Sequence, residues 1–368
     1  MRVLVTGCRG FIGKNLVAQL GEQADTEVLQ FARGDTLDTL SALVARADTV
    51  VHLAGQNRPG DVADFVLVNV DLTKVLCDNI RATGRKIPFI LASSTQAELD
   101  NPYGQSKRAA EQIVEQLASE TGNPVVIYRL PGVFGKWCKP NYNSVVATFC
   151  HNIANDLPIQ INAPASTVRL VYVDDVVNEF RISLANMADG IKWGKVEPEY
   201  EITLGNLAAQ IHAFKNSRAS LISERVGTGL TRALYSTFVS YLPTAKFAYD
   251  LPTHGDDRGV FVEMLKTPDC GQFSFFTAHP GVTRGGHYHH TKTEKFLVVK
   301  GSARFGFRHI GTNETYELIA SGDKPQVVES VPGWTHDITN VGEDEIVVLL
   351  WANEIFDHER PDTIVCKV

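Results

Sequence analysis

A glycine-punctuated turn near the start of the chain restricts its fold more than any other feature. The apolar run Val3-Leu4-Val5 passes into Thr6-Gly7-Cys8-Arg9-Gly10-Phe11-Ile12-Gly13 and then into a helical pattern over Lys14 to Leu20. Glycines at that spacing, between a strand and a helix, let backbone approach an anion at a helix N-terminus, where N–H groups and the helix dipole favour negative charge. The strand-like runs Val28 to Phe31, Val50 to Leu53, Phe89 to Leu91 and Val125 to Tyr128 follow, alternating with longer helical patterns up to about residue 190. This predicts an α/β Rossmann-like fold, a doubly wound parallel sheet buried on both faces.

Beyond about residue 245 the pattern changes. Short strand-like runs over Gly259 to Met264, Phe273 to Thr277, Lys295 to Val299, Ala303 to Phe307, Thr315 to Ile319, Gln326 to Ser330 and Glu345 to Ala352 are separated by Gly, Pro and Asp. They predict a separate all-β barrel or jelly roll. Leu207 to Tyr249 reads as helical, and the boundary is placed near its end, giving domains 1–245 and 246–368. A net charge of −7 leaves no basic excess for nucleic acid or an anionic membrane. The six cysteines form no C-x-x-C pair, which predicts reduced thiols in the cytoplasm and disfavours a zinc–cysteine site. The N-terminus lacks the pattern of a signal peptide, and no apolar run approaches the roughly 20 residues of a membrane span.

Three candidate sites follow. The first is the dinucleotide cradle from Thr6 to Gly13, including Arg9, Gly10, Phe11 and Ile12. Strand two ends at Phe31-Ala32-Arg33, where NAD-preferring folds place an acid; an Arg there suits a 2′-phosphate and predicts NADPH. Asp35, close by, keeps the NAD alternative open.

The second site is Tyr103-Gly104-Gln105-Ser106-Lys107, at the start of a predicted helix. Residues i and i+4 share a helix face, so phenol and ammonium can enter one cleft. The cation lowers the phenol's pKa, and the phenol donates a proton to the alkoxide formed when hydride attacks a ketone. Ala92-Ser93-Ser94-Thr95, following the Phe89 to Leu91 strand, offers hydroxyls to the same carbonyl. Tyr288 and Lys292 repeat the spacing in a segment that reads as strand, where i and i+4 lie far apart.

These residues resemble the extended short-chain dehydrogenase/reductase family over roughly residues 1 to 245. The match rests on Thr6-Gly7-x-x-Gly10-Phe11-Ile12-Gly13, Asp48-x-Val50-Val51-His52-Leu53-Ala54-Gly55, Asn69, Ser93-Ser94-Thr95, Tyr103-x-x-x-Lys107, Arg129 to Gly135 and Arg169 to Val176. The resemblance implies Tyr103 as acid, Lys107 as its partner and nicotinamide-ribose ligand, and Thr95 or Ser94 as the third member. It also implies that Leu53, Ala54 and Gly55 line the cofactor and that Asn69 lies close to it. Thr95 and Tyr103 stand closer together than is usual in that family.

The third site is Gly281-x5-His287-x-His289-x4-Glu294-x6-Gly301, with Pro332, Gly333, His336 and Asn340 later. Alternate strand residues face one side, so His287 and His289 point into a barrel with Glu294 and a third imidazole, His336. Three imidazoles and a carboxylate suit Zn²⁺, Ni, Fe or Mn. The pattern is similar to the cupin motif, with a departure in spacing at Pro332-Gly333. Asp256 to Glu263 and Arg284 to His289, with Lys295, also resemble the cupin-type 3,5-epimerases of 4-keto-6-deoxy sugar nucleotides. That resemblance implies His287 as proton-abstracting base and Lys295 as the group steadying the enolate. A metal would occupy the lone pair a base needs, so His287 is ligand or base, and the choice stays open.

The two halves together resemble the enzymes of capsular-polysaccharide and O-antigen synthesis that join such a reductase to a cupin. The resemblance implies C3 epimerisation and then NADPH reduction of a UDP-2-acetamido-2,6-dideoxy-4-hexulose, giving UDP-2-acetamido-2,6-dideoxy-β-L-talose on the way to UDP-N-acetyl-L-fucosamine. It further implies a homodimer with zinc in the cupin. Two alternatives stay open: a reductase whose cupin is structural and dimer-forming, and a non-catalytic NADPH-sensing protein.

Overall fold

The computed structural model describes residues 1–368 except Pro59, Thr253, Asp257, Arg258, Val262, Glu263, 268–270, Ile355, Phe356 and His358. Within the epimerase-like stretch from Asp256 to Glu263, Asp257, Arg258, Val262 and Glu263 thus lie outside the described residues, as does Cys270. The chain divides into two compact units, one of residues 1–144 with 168–201 and one of residues 145–167 with 202–368. The helices after residue 202 therefore belong to the compact unit of the barrel, although sequence pattern alone assigns them to the N-terminal half.

In the first unit, six parallel strands run in the order Glu27–Phe31, Arg2–Thr6, Thr49–His52, Phe89–Ser94, Val125–Leu130 and Ile191–Gly194. Alternation along each strand feeds two cores. Leu4, Val50, Phe89, Leu91 and Ile127 face one cluster, while Val3, Val5, Val51, Ile90 and Val126 face the other. Burying both faces explains the continuous Val, Ile and Leu runs. Strand order reverses beside Arg2–Thr6, which opens a crevice at the carboxyl ends of that strand and of Thr49–His52.

In the second unit, helices Val145–Ala154, Leu204–Ser220 and Gly229–Val239 precede two five-stranded sheets of jelly-roll type. One runs Ala248–Asp250, Gln326–Glu329, Glu294–Lys300, Ile346–Ala352, Gln272–Ala278; the other runs Thr315–Ser321, Ser302–His309, Trp334–Asn340, Thr283–Tyr288, Ile364–Val365. All their paired strands are antiparallel. The stretch read as helical over Leu207 to Tyr249 comprises Leu204–Ser220, which stops where Leu221 turns left-handed at φ +58°, then Gly229–Val239 and the 3₁₀ turn Thr244–Lys246, with Ala248–Asp250 already strand. Among the described residues, Cys8, Cys77, Cys138, Cys150 and Cys366 form no disulfide, and no helix is long and apolar enough to cross a membrane.

Candidate functional site

The cradle depends on glycine at two positions. Gly7 has φ +68°, and a Cβ there would lie 2.7 Å from the Ala54 nitrogen; at Gly13 it would lie 2.2 Å from the Gly7 carbonyl oxygen. No side chain larger than hydrogen fits either place, so the turn presses against Leu53-Ala54 and against its own helix. Helix Phe11–Gly21 starts at Gly10 with no side-chain cap and no acid in its first turn. An empty-handed N-terminus at a switch-point crevice fits a pyrophosphate. Thr6 is fully buried, and its hydroxyl bonds His52 Nδ1 at 2.6 Å while accepting from the N–H groups of Leu53 at 3.2 Å and Ala54 at 3.3 Å. Thr6 thus holds the far wall of the cradle. Burial drives the His52 imidazole down to about 3, so the ring is neutral.

Arg9, Gly10 and Arg33 are exposed along the crevice, and Phe11 and Ile12 are half-buried. Arg33 donates to Gln56 Oε1 at 3.0 Å, beside Gly55, while Asp35 turns back and accepts from the N–H of Ala32 at 2.8 Å. Asn69 lies in a π-helical turn, Val66–Asp71. Its amide donates to the Gln56 carbonyl at 3.0 Å and to Ser106 Oγ at 2.9 Å, and its oxygen accepts from the Gln56 N–H at 2.7 Å. One buried side chain thereby joins the loop after Gly55 to the helix that carries Tyr103.

That helix, Pro102–Thr121, is fixed at both ends. Asn101 caps it by accepting from Gly104 N–H at 2.8 Å, Pro102 fills its first position, and Gly122 closes it at φ +70°. A Cβ on Gly104 would lie 2.2 Å from the Gln96 carbonyl oxygen and 2.6 Å from that of Leu99. This close approach, with the 3₁₀ turn Thr95–Glu98, absorbs the short spacing between Thr95 and Tyr103. Burial raises the Tyr103 phenol, and a hydrogen bond from Ser94 opposes the rise. Among the three hydroxyls after Phe89–Leu91, Ser94 thus acts on Tyr103. Ser93 faces the other way and donates to buried Glu111 at 2.5 Å.

Lys107 is buried and donates to the Ala92 carbonyl at 2.7 Å. Burial brings its ammonium down to about 8, and Glu111, one helical turn further on, acts in the opposite direction. Glu111 itself is gripped by Arg129 through two bonds of 3.0 and 2.7 Å. Glu111 and Ser106 were not singled out in the sequence, although Ser106 sits inside the Tyr-x-x-x-Lys motif and Glu111 stands four residues past Lys107.

In the barrel, His287 pairs with His336 across neighbouring strands, and Glu294 opens the strand of the facing sheet. Nε2 of His289, His336 and His287 lies 2.9, 3.4 and 4.0 Å from Glu294 Oε2, and the four ligand atoms lie within 4.8 Å of one another. An ion about 2.1 Å from each of four ligands holds them roughly 3.4 Å apart, so the set fits a divalent cation with small adjustment. His289 Nδ1 meets the Asp362 carbonyl oxygen, which turns its Nε2 inward to Glu294. His336 joins the cluster despite the departure at Pro332-Gly333. Gly285 makes the approach possible, since a Cβ there would lie 2.9 Å from the His336 carbonyl oxygen.

Lys295 is elsewhere. Next to Glu294 on one strand, it points from the opposite face. There it pairs with Glu329, which Arg218 also meets at 3.0 Å, and donates to the Tyr249 hydroxyl at 3.1 Å. Burial opposes the charge on Lys295, but Glu329 and the phenols of Tyr235 and Tyr249 outweigh it and hold the ammonium above its ordinary range. The expectation that Lys295 shares a proton-transfer site with His287 is corrected by this placement. Tyr288 and Lys292 likewise form no phenol–ammonium helix pair: Tyr288 ends a strand and Lys292 lies past it.

The comparisons agree with both halves. Residues 3–195 match the NAD dependent epimerase/dehydratase family, and residues 254–364 match the polysaccharide biosynthesis C-terminal domain. The chain is 57% identical to a UDP-2-acetamido-2,6-beta-L-arabino-hexul-4-ose reductase of Pseudomonas aeruginosa, over 100% of this chain and 99% of that protein. It is similar to the crystal structure of the capsular polysaccharide assembling protein CapF from Staphylococcus aureus, with TM-score 0.68 and 42% identity over the whole of both chains. A UDP-glucuronic acid 4-epimerase of Bacillus cereus, 22% identical over 59% of this chain and 84% of its own at TM-score 0.52, shares the fold alone. The chain belongs to the NAD dependent epimerase/dehydratase family, carried here with a polysaccharide biosynthesis C-terminal domain.

Proposed function

We propose that the protein reduces the C4 ketone of a UDP-2-acetamido-2,6-dideoxy-4-hexulose with NADPH after its cupin has inverted C3. The product is UDP-2-acetamido-2,6-dideoxy-β-L-talose, a precursor of UDP-N-acetyl-L-fucosamine for capsule or O-antigen. The observation that carries the reduction is the meeting of the Tyr103 and Ser94 hydroxyls, beside buried Lys107, at the carboxyl edge of the parallel sheet. The close relative's name, a 4-ketose reductase acting on a UDP-sugar, supports the substrate class.

The nicotinamide, when bound in the cradle of Gly7, Gly10 and Gly13, supplies hydride to C4. Tyr103 gives its proton to the C4 oxygen as charge develops there, and burial suits it by keeping the phenol protonated. Ser94 holds the same oxygen by a hydrogen bond. Lys107 faces the phenolate left behind and the ribose hydroxyls. Arg33, without a carboxylate partner among the described residues while Asp35 bonds its own turn, favours the 2′-phosphate of NADPH.

His287, His289, Glu294 and His336 would hold the metal, with Zn²⁺ first by donor type. Bound there, the ion supplies a Lewis acid that polarises the ketone. Only a C–H beside a ketone is acidic enough to exchange, and reduction removes the ketone, so epimerisation precedes reduction. His287, whose Nε2 is the farthest of the three imidazoles from Glu294 Oε2 at 4.0 Å, is ligand or base. As ligand it completes the cluster, and as base it takes the C3 proton while solvent returns a proton to the opposite face. The enzyme acts in the cytoplasm as a homodimer on this reading.

A second reading, a cupin that only supports the fold, draws on the placement of Lys295 away from His287. Incubating the full chain with the 4-ketose in D₂O without NADPH separates the two. Deuterium at C3, followed by the talose configuration once NADPH is added, is expected. A product without deuterium at C3 would assign the barrel a supporting role.

A further inference from the structure

Asp362 lies near the end of the chain, yet its carboxylate and its carbonyl both face the loop between two metal-site residues. Its Oδ1 accepts from the His290 N–H at 2.9 Å. Its Oδ2 accepts from the N–H groups of Thr291 at 2.7 Å and Lys292 at 2.8 Å, and from the Thr291 hydroxyl at 3.0 Å. Three consecutive N–H groups ending on one carboxylate hold the segment between His289 and Glu294 in a single shape. The main-chain carbonyl of the same residue meets His289 Nδ1. An imidazole fixed at Nδ1 by a carbonyl offers Nε2 to a metal, and this Nε2 points to Glu294 Oε2 at 2.9 Å, in a contact that a shared cation would replace.

The neighbours of Asp362 extend the arrangement. Thr363 Oγ1 accepts from Lys292 Nζ at 2.8 Å, Val365 pairs with His287 in the sheet, and the Cys366 N–H donates to the Gly286 carbonyl at 2.8 Å. The tail thus runs beside two of the four cluster residues, and Asp362 is the member with bonds to both the loop and a ligand ring.

We propose that Asp362 is a positioning residue of the metal centre: its carboxylate fixes the His290–Lys292 loop so that its carbonyl holds His289 with Nε2 toward a divalent cation. The inference rests on the metal-site reading above. Its test is Zn²⁺ affinity, measured by competition with a chromophoric chelator, and the Co²⁺ absorption spectrum, for the stripped full-length protein and its Asp362→Ala and Asp362→Asn variants. Thermal unfolding followed by near-UV circular dichroism serves as the control for folding of the barrel, which carries Trp334 and Trp351.

Asp362→Ala should weaken Zn²⁺ binding about 10- to 100-fold and shift the Co²⁺ ligand-field bands, with the barrel's folded signal unchanged. Asp362→Asn, which keeps one acceptor oxygen, should fall between Ala and the parent. A purely structural Asp362 would leave affinity and spectrum alone in variants that fold, and that result overturns the proposal. Loss of the barrel's folded signal together with metal in both variants would also overturn it, by making Asp362 a general folding residue. A parent protein that binds neither ion would overturn the metal-site reading itself, a different failure from variants that bind as well as the parent.

Discussion

Tyr103 and Lys107 stand four residues apart and serve one crevice; Glu294 and Lys295 are adjacent and serve different places. The contrast is one of secondary structure. On a helix, i and i+4 share a face, and the cap by Asn101 and the contact at Gly104 bring that face to Ser94. On a strand, neighbours alternate, so Glu294 enters the histidine cluster while Lys295 packs against Glu329 and Tyr249. A motif carries chemistry only together with the periodicity of the element on which it is written.

The comparison is sharpest for the adjacent pair. Lys295→Met should leave Glu329 with Arg218 and Tyr235 only and cost about 3 kcal/mol in chemical denaturation, with zinc content unchanged. Glu294→Gln should do the reverse, losing zinc from a folded chain. If Lys295→Met instead abolished metal binding at full stability, the two-face account would fail.

Within the first unit, Ser94→Ala should cost roughly 10²-fold in kcat for ketone reduction, while Thr95→Ala stays near the parent rate. Equal losses would mean that the end of the strand at Ser94 does not choose the third hydroxyl over Thr95 in the 3₁₀ turn. A smaller effect concerns the cofactor: Arg33→Ala should raise KM for NADPH about tenfold and leave that for NADH little changed. Steady-state kinetics with both cofactors decides it, and a parent enzyme preferring NADH would remove the assignment of Arg33.

The two buried lysines also differ in titration. Burial lowers Lys107 to about 8, whereas Lys295 is held above its ordinary range. The ammonium form of Lys107 prevails below its pKa and is lost as pH rises through it. The kcat/KM for reduction should therefore decline as pH rises past about 8, with Tyr103, itself raised, still protonated. A pH–rate profile that stays level through this range would show that the Lys107 charge is not used.

Much of this was legible because local rules settle it. The glycine cradle, the βα alternation and the Tyr-x-x-x-Lys helix are each specified within a few residues, and the parallel sheet follows from them. The four cluster residues were legible too, since His287, His289 and Glu294 are near in sequence and His336 carries its own turn. What escaped depends on long-range register. Nothing near Lys295 announces Glu329 and Arg218, and nothing near Asp362 announces a loop some 70 residues earlier. Within the helical stretch Leu207 to Tyr249 the break at Leu221 also escaped, because a non-glycine residue there adopts a left-handed conformation that composition does not reveal.

The central claim, that Tyr103 supplies the proton for reduction of a UDP-linked 4-ketose, is tested most directly by one pair of rates. NADPH oxidation on UDP-2-acetamido-2,6-dideoxy-4-hexulose should fall about 10²- to 10⁴-fold in Tyr103→Phe, with the Kd for NADPH unchanged. Turnover by Tyr103→Phe at the parent rate would contradict the account.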